Sequence, residues 1–276
     1  MWTTKGTNYR ISVLLFLMLV GCDLAAEDVL PHHQSVPGGV ARVPVQSSGQ
    51  PSVSFAGNRV LVMASEGENQ WTAVVGIPLS HEPGTYQLDL GGGRQVDFQV
   101  NSKEYETQYL TITNRRQVDP NEADLIRIRQ ERTTMDRVFA SWTESSSPVT
   151  QFKLPLEGPV SSTFGLRRFY NDQPRNPHSG LDIAGPEGTA IRAPGDGVVA
   201  TTGDYFFNGN TILLDHGYGV ISMYCHMSRI EVEPGDKISQ GEVIGAVGQT
   251  GRVTGPHLHW SVSINNVRVD PNLFLP

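Results

Sequence analysis

Gly255-Pro256-His257-Leu258-His259-Trp260, close to the C-terminus of a 276-residue chain, sets two histidines two positions apart within an apolar run. On a β-strand, residues two apart point to the same face, so His257 and His259 present their imidazoles side by side without a bend in the backbone. Upstream, His178-Ser179-Gly180-Leu181-Asp182 adds a third imidazole and a carboxylate in a stretch rich in Asn, Pro and Gly. Loops of that kind position ligands, and a carboxylate beside an apolar strand gains nothing from burial unless it is paired. Zinc takes imidazole nitrogen and carboxylate oxygen in a tetrahedral arrangement and keeps one position open where it is catalytic. His-x-His alone would read as two half-buried histidines; together with His178-x-x-x-Asp182 it specifies a metal site.

The rest of the chain supports a protein that carries such a site on β-structure. Its hydrophobic fraction of 38% with 18% charged residues is that of a globular protein, and 29 glycines with 18 prolines signal many turns between short strands. At this length about two domains are expected. Lys5 and Arg10 are the only charges before the apolar run 11–20, which is too short to span a membrane and reads as a secretory leader, residues 1–26. Leu19-Val20-Gly21-Cys22 resembles a bacterial lipobox, in which Cys22 carries a lipid anchor and becomes the mature N-terminus; the other route is cleavage near Ala25-Ala26, which discards Cys22. Either way the expected location is the cell envelope, exported to the periplasm. Loss of residues 1–21 moves the formal charge from -7 to -9, and an acidic surface without a basic run argues against nucleic acid as a partner. With two cysteines in all, the core and the metal rather than disulfides are expected to hold the fold.

Residues 27–101 alternate apolar and polar positions between turn signals, and Tyr86, Leu88 and Leu90 return across Gly91-Gly92-Gly93 as Val96, Phe98 and Val100. This predicts a small accessory β-sandwich. His32-His33 reads as a solvated entry segment. In the connector, 102–150, Asp119 as cap, Pro120 at the first helical position and Glu122 predict a helix over about 120–142, with Leu125, Ile128, Met135, Phe139 and Trp142 as its packing stripe and a Ser-rich linker after it. Residues 151–276 return to strands and Gly-rich turns with no convincing helix, which predicts an antiparallel β domain.

Within that last region the motifs match a known family. His178-x-x-x-Asp182 followed by His257-x-His259 resembles the signature of the lysostaphin-like zinc metallopeptidases. Further landmarks agree: Ser162-Thr163-Phe164-Gly165-Leu166-Arg167, Gly188-Thr189-Ala190-Ile191, Ala193-Pro194-Gly195-Asp196-Gly197 and Tyr224-Cys225-His226-Met227-Ser228. The resemblance covers 158–276 and shows no departure at a motif position. It implies a duplicated hybrid-motif fold, zinc held by His178, Asp182 and His259, and His226 and His257 as catalytic residues beside the ion. It also implies peptidoglycan stem peptides and cross-links as substrate; where the lipobox and the Asp23 after it are those of a Gram-negative cell, D-alanyl-diaminopimelate links rank ahead of glycine bridges. Tyr224, two residues before His226 on a strand, shares its face and is a candidate to line the cleft, with edge packing as the alternative; Arg167 is a candidate for substrate carboxylates. His216 reads as a surface turn residue and Cys225 as a small core residue. Tyr205-Phe206-Phe207-Asn208-Gly209 reads as a groove wall or as a loop docked on the first domain.

The N-terminal part resembles the accessory domain of one subgroup of that family, in which it covers the groove. A latent chain, opened by domain separation or by a regulatory protein partner, is therefore expected. Two other functions compete: a non-catalytic envelope regulator that activates cell-wall amidases, against which every metal ligand is present, and a binding module that works through the sandwich.

Overall fold

The computed structural model describes Met1, residues 30–145 and residues 148–276; the leader after Met1, with the lipobox at Cys22, lies outside the described residues. The protein is mainly β, as its turn-rich composition predicts. Its N-terminal unit contains β1 (Val40–Gln46), β2 (Ser54–Phe55), β3 (Asn58–Arg59), β4 (Leu61–Ala64), β5 (Gln70–Gly76), β6 (Gly84–Asp89) and β7 (Gln95–Val100). These form two sheets, β1-β5-β4 and β3-β2-β6-β7. Ala41, Val43, Val45, Val62, Ala73, Val75, Leu88, Phe98 and Val100 fill the space between them.

The apolar run of β5 does not alternate with polar residues because both its faces are covered. Ala73 and Val75 face the sandwich core. Val40, Leu61 and Val74 face the other way, into the core of the C-terminal half. Contact between the halves is close: a Cβ on Gly76 would lie 2.7 Å from Ile264 Cγ2 and 3.0 Å from the Ile264 carbonyl oxygen. The Gly76 amide donates to Asn265 Oδ1 at 2.7 Å.

The connector contains a strand as well as a helix. Strand β8 (Thr107–Leu110) precedes a 3-10 turn at Arg115–Gln117 and the helix α1 (Glu122–Phe139). The helix is shorter than its predicted 120–142 and starts from a different cap. Asn121 accepts from the Asp124 amide while the Asp124 carboxylate accepts from the Asn121 amide, a reciprocal box that Asp119 and Glu122 do not form. Asp124 is further held by Arg116 Nε at 2.7 Å. Only the C-terminal part of the predicted stripe packs: Phe139 is buried with Met135 and Val138 beside it, whereas Leu125 is 42% exposed. Trp142, past the helix, carries the Arg59 guanidinium over its ring at 4.4 Å.

The C-terminal half supplies β9 (Val160–Ser162), β10 (Arg167–Tyr170), β11 (Gln173–Pro174), β12 (Leu181–Ala184), β13 (Ala190–Arg192), β14 (Gly197–Tyr205) and β15 (Gly209–Asp215). These are followed by β16 (Ile221–Ile230), β17 (Lys237–Ile238), β18 (Val243–Val247), β19 (His257–Ile264) and β20 (Val267–Val269). Ten of these strands make one sheet in the order β17-β14-β15-β16-β19-β12-β9, with β18 joining β16 to β13 and β20 on β19. Its inner face buries Phe152, Ile212, Leu214, Tyr224, Trp260 and Phe274. Its outer face sets Leu213, Ile221, Met223 and Cys225 against α1. Burial of each large side chain contributes about 1.5–3 kcal/mol, so this double-sided packing holds the sheet while Cys225 stays a free thiol. A separate small sheet, β11-β10-β8, includes one parallel pair: β8 of the connector lies on β10, register Gln108 to Arg168.

Candidate active site

The central strands bring the signature residues together. Antiparallel pairing sets Asp182 of β12 opposite His259 of β19, and Ala184 opposite His257. Directly paired residues share a face, so the carboxylate and the imidazole meet. His178 arrives from the loop before β12, and Gly180 lets that loop lie against β19. A Cβ at Gly180 would stand 2.5 Å from the Trp260 carbonyl oxygen, 2.6 Å from Ser261 Oγ and 2.7 Å from His259 Cε1.

The three groups meet at one point. His178 Nε2 lies 2.9 Å from Asp182 Oδ1 and 2.9 Å from His259 Nδ1, and Asp182 Oδ1 lies 2.7 Å from His259 Nδ1. Their outer partners fix which nitrogens carry hydrogen. His178 Nδ1 faces the Thr163 carbonyl at 2.7 Å; a carbonyl only accepts, so that nitrogen is the donor. The Ser261 hydroxyl gives its hydrogen to the Ser179 carbonyl at 2.9 Å, so its oxygen accepts from His259 Nε2 at 2.9 Å. In neutral rings the remaining nitrogens, His178 Nε2 and His259 Nδ1, are lone pairs aimed at a carboxylate oxygen. Three electron-pair donors facing one another without a hydrogen between them are what a zinc ion fits, so the residues present suit the group.

Electrostatics keep the set in that form. Burial pushes His178 down to about 4, so it stays neutral near pH 7.

Two further imidazoles stand beside the set. His226 and His257 have ring centroids 4.9 Å apart, and His226 is 6.1 Å from His259. His226 donates from Nδ1 to the Thr250 carbonyl at 2.8 Å, and His257 from Nδ1 to the Gly255 carbonyl at 2.9 Å, so each turns an unprotonated Nε2 outward. His257 Nε2 is 3.9 Å from Asp182 Oδ1. Burial, reinforced by His257 and His259, pushes His226 down to about 3.

His226 reaches this face by breaking the alternation of β16. Its φ is +64°, and Asn210 pairs with Met227 while Ile212 pairs with Tyr224, so one extra residue sits on β16. Such a bulge re-aims a side chain. Tyr224, a candidate for the cleft, is therefore corrected: it is fully buried opposite Trp260 of β19, and its hydroxyl lies 2.7 Å from Ser222 Oγ. His216, expected at the surface, is also buried. Its Nδ1 donates to the Asp196 carbonyl at 2.6 Å and its Nε2 lies 2.7 Å from Ser222 Oγ, which ties a loop to the core. Cys225 is in the core as expected, and burial pushes its thiol up.

Arg167 is exposed, and its amide donates to the Glu106 carbonyl at 2.8 Å. The arginine that reaches the site is its neighbour Arg168, whose Nη2 donates to Asp182 Oδ2 at 2.8 Å. The signal was present in the Arg167-Arg168 pair, since neighbours on a strand face opposite sides. The aromatic loop at 205–209 docks on the connector rather than on the sandwich: the Phe206 amide donates to Glu131 Oε2 at 2.9 Å, and Phe207 faces Arg252, which also lies over Tyr170. Among the described residues, no side chain of 33–103 hydrogen-bonds or ion-pairs with the four clustered histidines or Asp182.

Comparison with known proteins places the chain in a family. Residues 176–271 match Peptidase family M23, and residues 33–103 match the Peptidase family M23 N-terminal domain. The chain is 43% identical over 106 residues to the peptidoglycan DD-endopeptidase ShyA of Vibrio cholerae, covering 38% of this chain and 25% of that protein. It is 42% identical over 112 residues to the DD-carboxypeptidase/endopeptidase Mpg of Neisseria gonorrhoeae, covering 41% of this chain and 26% of that protein. The match therefore spans about a quarter of these curated relatives. A crystal structure from Pseudomonas aeruginosa described as a peptidase M23 is 42% identical, with TM-score 0.73, over 88% of this chain and 95% of that one.

Proposed function

The chain belongs to peptidase family M23, and on that premise we propose that it is a zinc endopeptidase hydrolysing peptide cross-links of peptidoglycan in the bacterial envelope. The observation that carries this reading is the convergence of three lone-pair donors on one point, with two imidazoles alongside whose Nε2 atoms carry no hydrogen.

His178 Nε2, Asp182 Oδ1 and His259 Nδ1 would hold the ion. Bound there, zinc supplies a Lewis acid that polarises the peptide carbonyl and makes water acidic enough to act as a nucleophile near pH 7. His257 is placed to take that proton: it is partly exposed, and its Nε2, 3.9 Å from Asp182 Oδ1, stands beside the point on which the three ligands converge. It is then the only one of the pair with an Nε2 hydrogen to deliver to the leaving amine. His226 is held neutral by burial, so its Nε2 accepts a hydrogen bond and orients the attacking water.

The names of the curated relatives, DD-endopeptidase and DD-carboxypeptidase/endopeptidase, support a bond between D-residues, as in D-alanyl-diaminopimelate links. An envelope location, with export through the leader and a lipid at Cys22, belongs to the same proposal. The test is a digest of purified peptidoglycan by zinc-loaded protein. Cross-linked muropeptide dimers are expected to become monomers; unchanged muropeptides from protein carrying one zinc per chain would refute the reading.

A further inference from the structure

Asp182 offers two oxygens, and only one of them faces His178 and His259. What commits the other is a chain of contacts that begins outside the catalytic half. Arg168 on β10 donates from Nη2 to Asp182 Oδ2 at 2.8 Å and from Nε to Gln108 Oε1 at 3.1 Å. Gln108 lies on β8, in the connector, and its Nε2 donates to Ser162 Oγ at 3.0 Å. Ser162 is the residue of β9 that pairs with Asp182 itself. One side chain thus reaches the neighbour of Asp182 on one strand and the guanidinium that holds its carboxylate on another.

We propose that Gln108 is a positioning residue of the metal centre, acting through Arg168 on Asp182, and that the connector strand is therefore a working part of the site. The inference rests on the reading of Asp182 as a metal ligand.

A carboxylate that accepts nothing on its outer oxygen can rotate, or turn both oxygens to a cation. Arg168 removes that freedom by a charge-assisted bond, and its side chain is only 14% exposed. A buried arginine in turn needs its remaining donors satisfied; Gln108 takes Nε, and the Tyr170 hydroxyl lies 3.4 Å from Nη1. The backbone keeps Gln108 in place: the Arg167 amide donates to the Glu106 carbonyl, and the Asn171 amide to the Leu110 carbonyl at 3.0 Å, at the two ends of the parallel pair. Outer partners of metal ligands commonly govern affinity by about 10–100-fold.

The rival account is that Arg168 only neutralises a buried anion and that Gln108 only helps β8 adhere. Charge-conserving changes separate the two, because they leave the local field intact and alter only orientation. Zinc affinity of the full chain would be measured by competition with a chromogenic chelator for Gln108→Met, Arg168→Lys and, as a control, Tyr109→Ser. Tyr109 is on the same strand, 67% exposed, and faces away from Arg168, stacked on Phe169 at 5.0 Å. Gln108→Met and Arg168→Lys are each expected to bind zinc about tenfold more weakly. Tyr109→Ser should remain within about twofold of the parent. Melting of the zinc-free proteins, followed by circular dichroism, shows that each variant is folded. The proposal is overturned if folded Gln108→Met and Arg168→Lys both keep the parent's affinity, or if Tyr109→Ser loses as much as Gln108→Met. If the parent protein binds no zinc at all, it is the metal-centre reading that fails.

Discussion

Gly180→Ala is the smallest change that should disturb the site through packing alone. The added methyl would stand 2.5 Å from the Trp260 carbonyl oxygen, 2.6 Å from Ser261 Oγ and 2.7 Å from His259 Cε1, where Cβ contacts under 3.0 Å essentially never occur. The first of these neighbours is backbone in the middle of β19, and the other two are locked into the hydrogen bonds that set the tautomer of His259. Relief therefore requires the loop at 178–182 and β19 to part by about half an ångström or more. Overpacking of this kind costs about 1–3 kcal/mol, which for a protein of this size lowers the melting temperature by roughly 5 °C. Ligand geometry is tolerant to about 0.2 Å, so zinc affinity should fall by about tenfold or more as well. Gly255, on the other side of the histidine pair, has open space where its Cβ would be. Gly255→Ala should change zinc affinity less than about twofold. Chelator competition and thermal melting on both variants decide the matter: the steric account fails if Gly180→Ala binds zinc and melts like the parent.

Three other outcomes are expected. Asp182→Ala and His259→Ala should lose zinc and turnover together, whereas His226→Ala should keep its zinc and lose about 10²–10⁴ in kcat; zinc content by atomic emission beside a muropeptide assay checks this, and zinc loss in His226→Ala would break the division of roles. Burial pushes His216 down to about 4, below its ordinary 6.5, so the unfolded chain takes up the proton first on acidification. Stability from this group is fully present above about pH 6.5 and is lost as pH falls to about 4, by about 3 kcal/mol; urea unfolding of parent and His216→Gln at both ends of that window should show a smaller acid loss in the variant, and equal losses would refute it. Asn265→Ala leaves the Gly76 amide and carbonyl without their side-chain partner and puts alanine at a φ of +43°. About 2–3 kcal/mol of stability should go, and a melt within about 1 °C of the parent would exclude this.

Much of the site was legible because its chemistry follows strand period. His257 and His259 share a face of β19, and the cross-strand partner of His259 is the Asp182 of the upstream motif. Where period was broken, residue counting failed. The bulge at His226 moves it to the histidine face and leaves Tyr224 in the core, and no composition signal marks a positive φ at histidine. Strand β8 was invisible for another reason. Four residues, Thr107-Gln108-Tyr109-Leu110, acquire their strand character only from a parallel partner about 60 residues later, and with it came the contact to Arg168. The helix start was misplaced by two residues because Asn121 and Asp124 satisfy each other, a reciprocity that Asp119 and Glu122 lack. His216 was misjudged because its loop is turn-rich, while its ring finds an acceptor in the Asp196 carbonyl.

The sheet β1-β5-β4 has one face in each of two cores. It is a party wall: removing the sandwich would strip apolar cover from the underside of the sheet that carries His257 and His259. Residues 33–103 and 176–271, although they match two separate family descriptions, should accordingly melt as one cooperative unit, with a single heat-absorption peak. Resistance of His257 and His259 to heat-driven displacement is then set in part by valines far away in sequence, Val40 and Val74 among them.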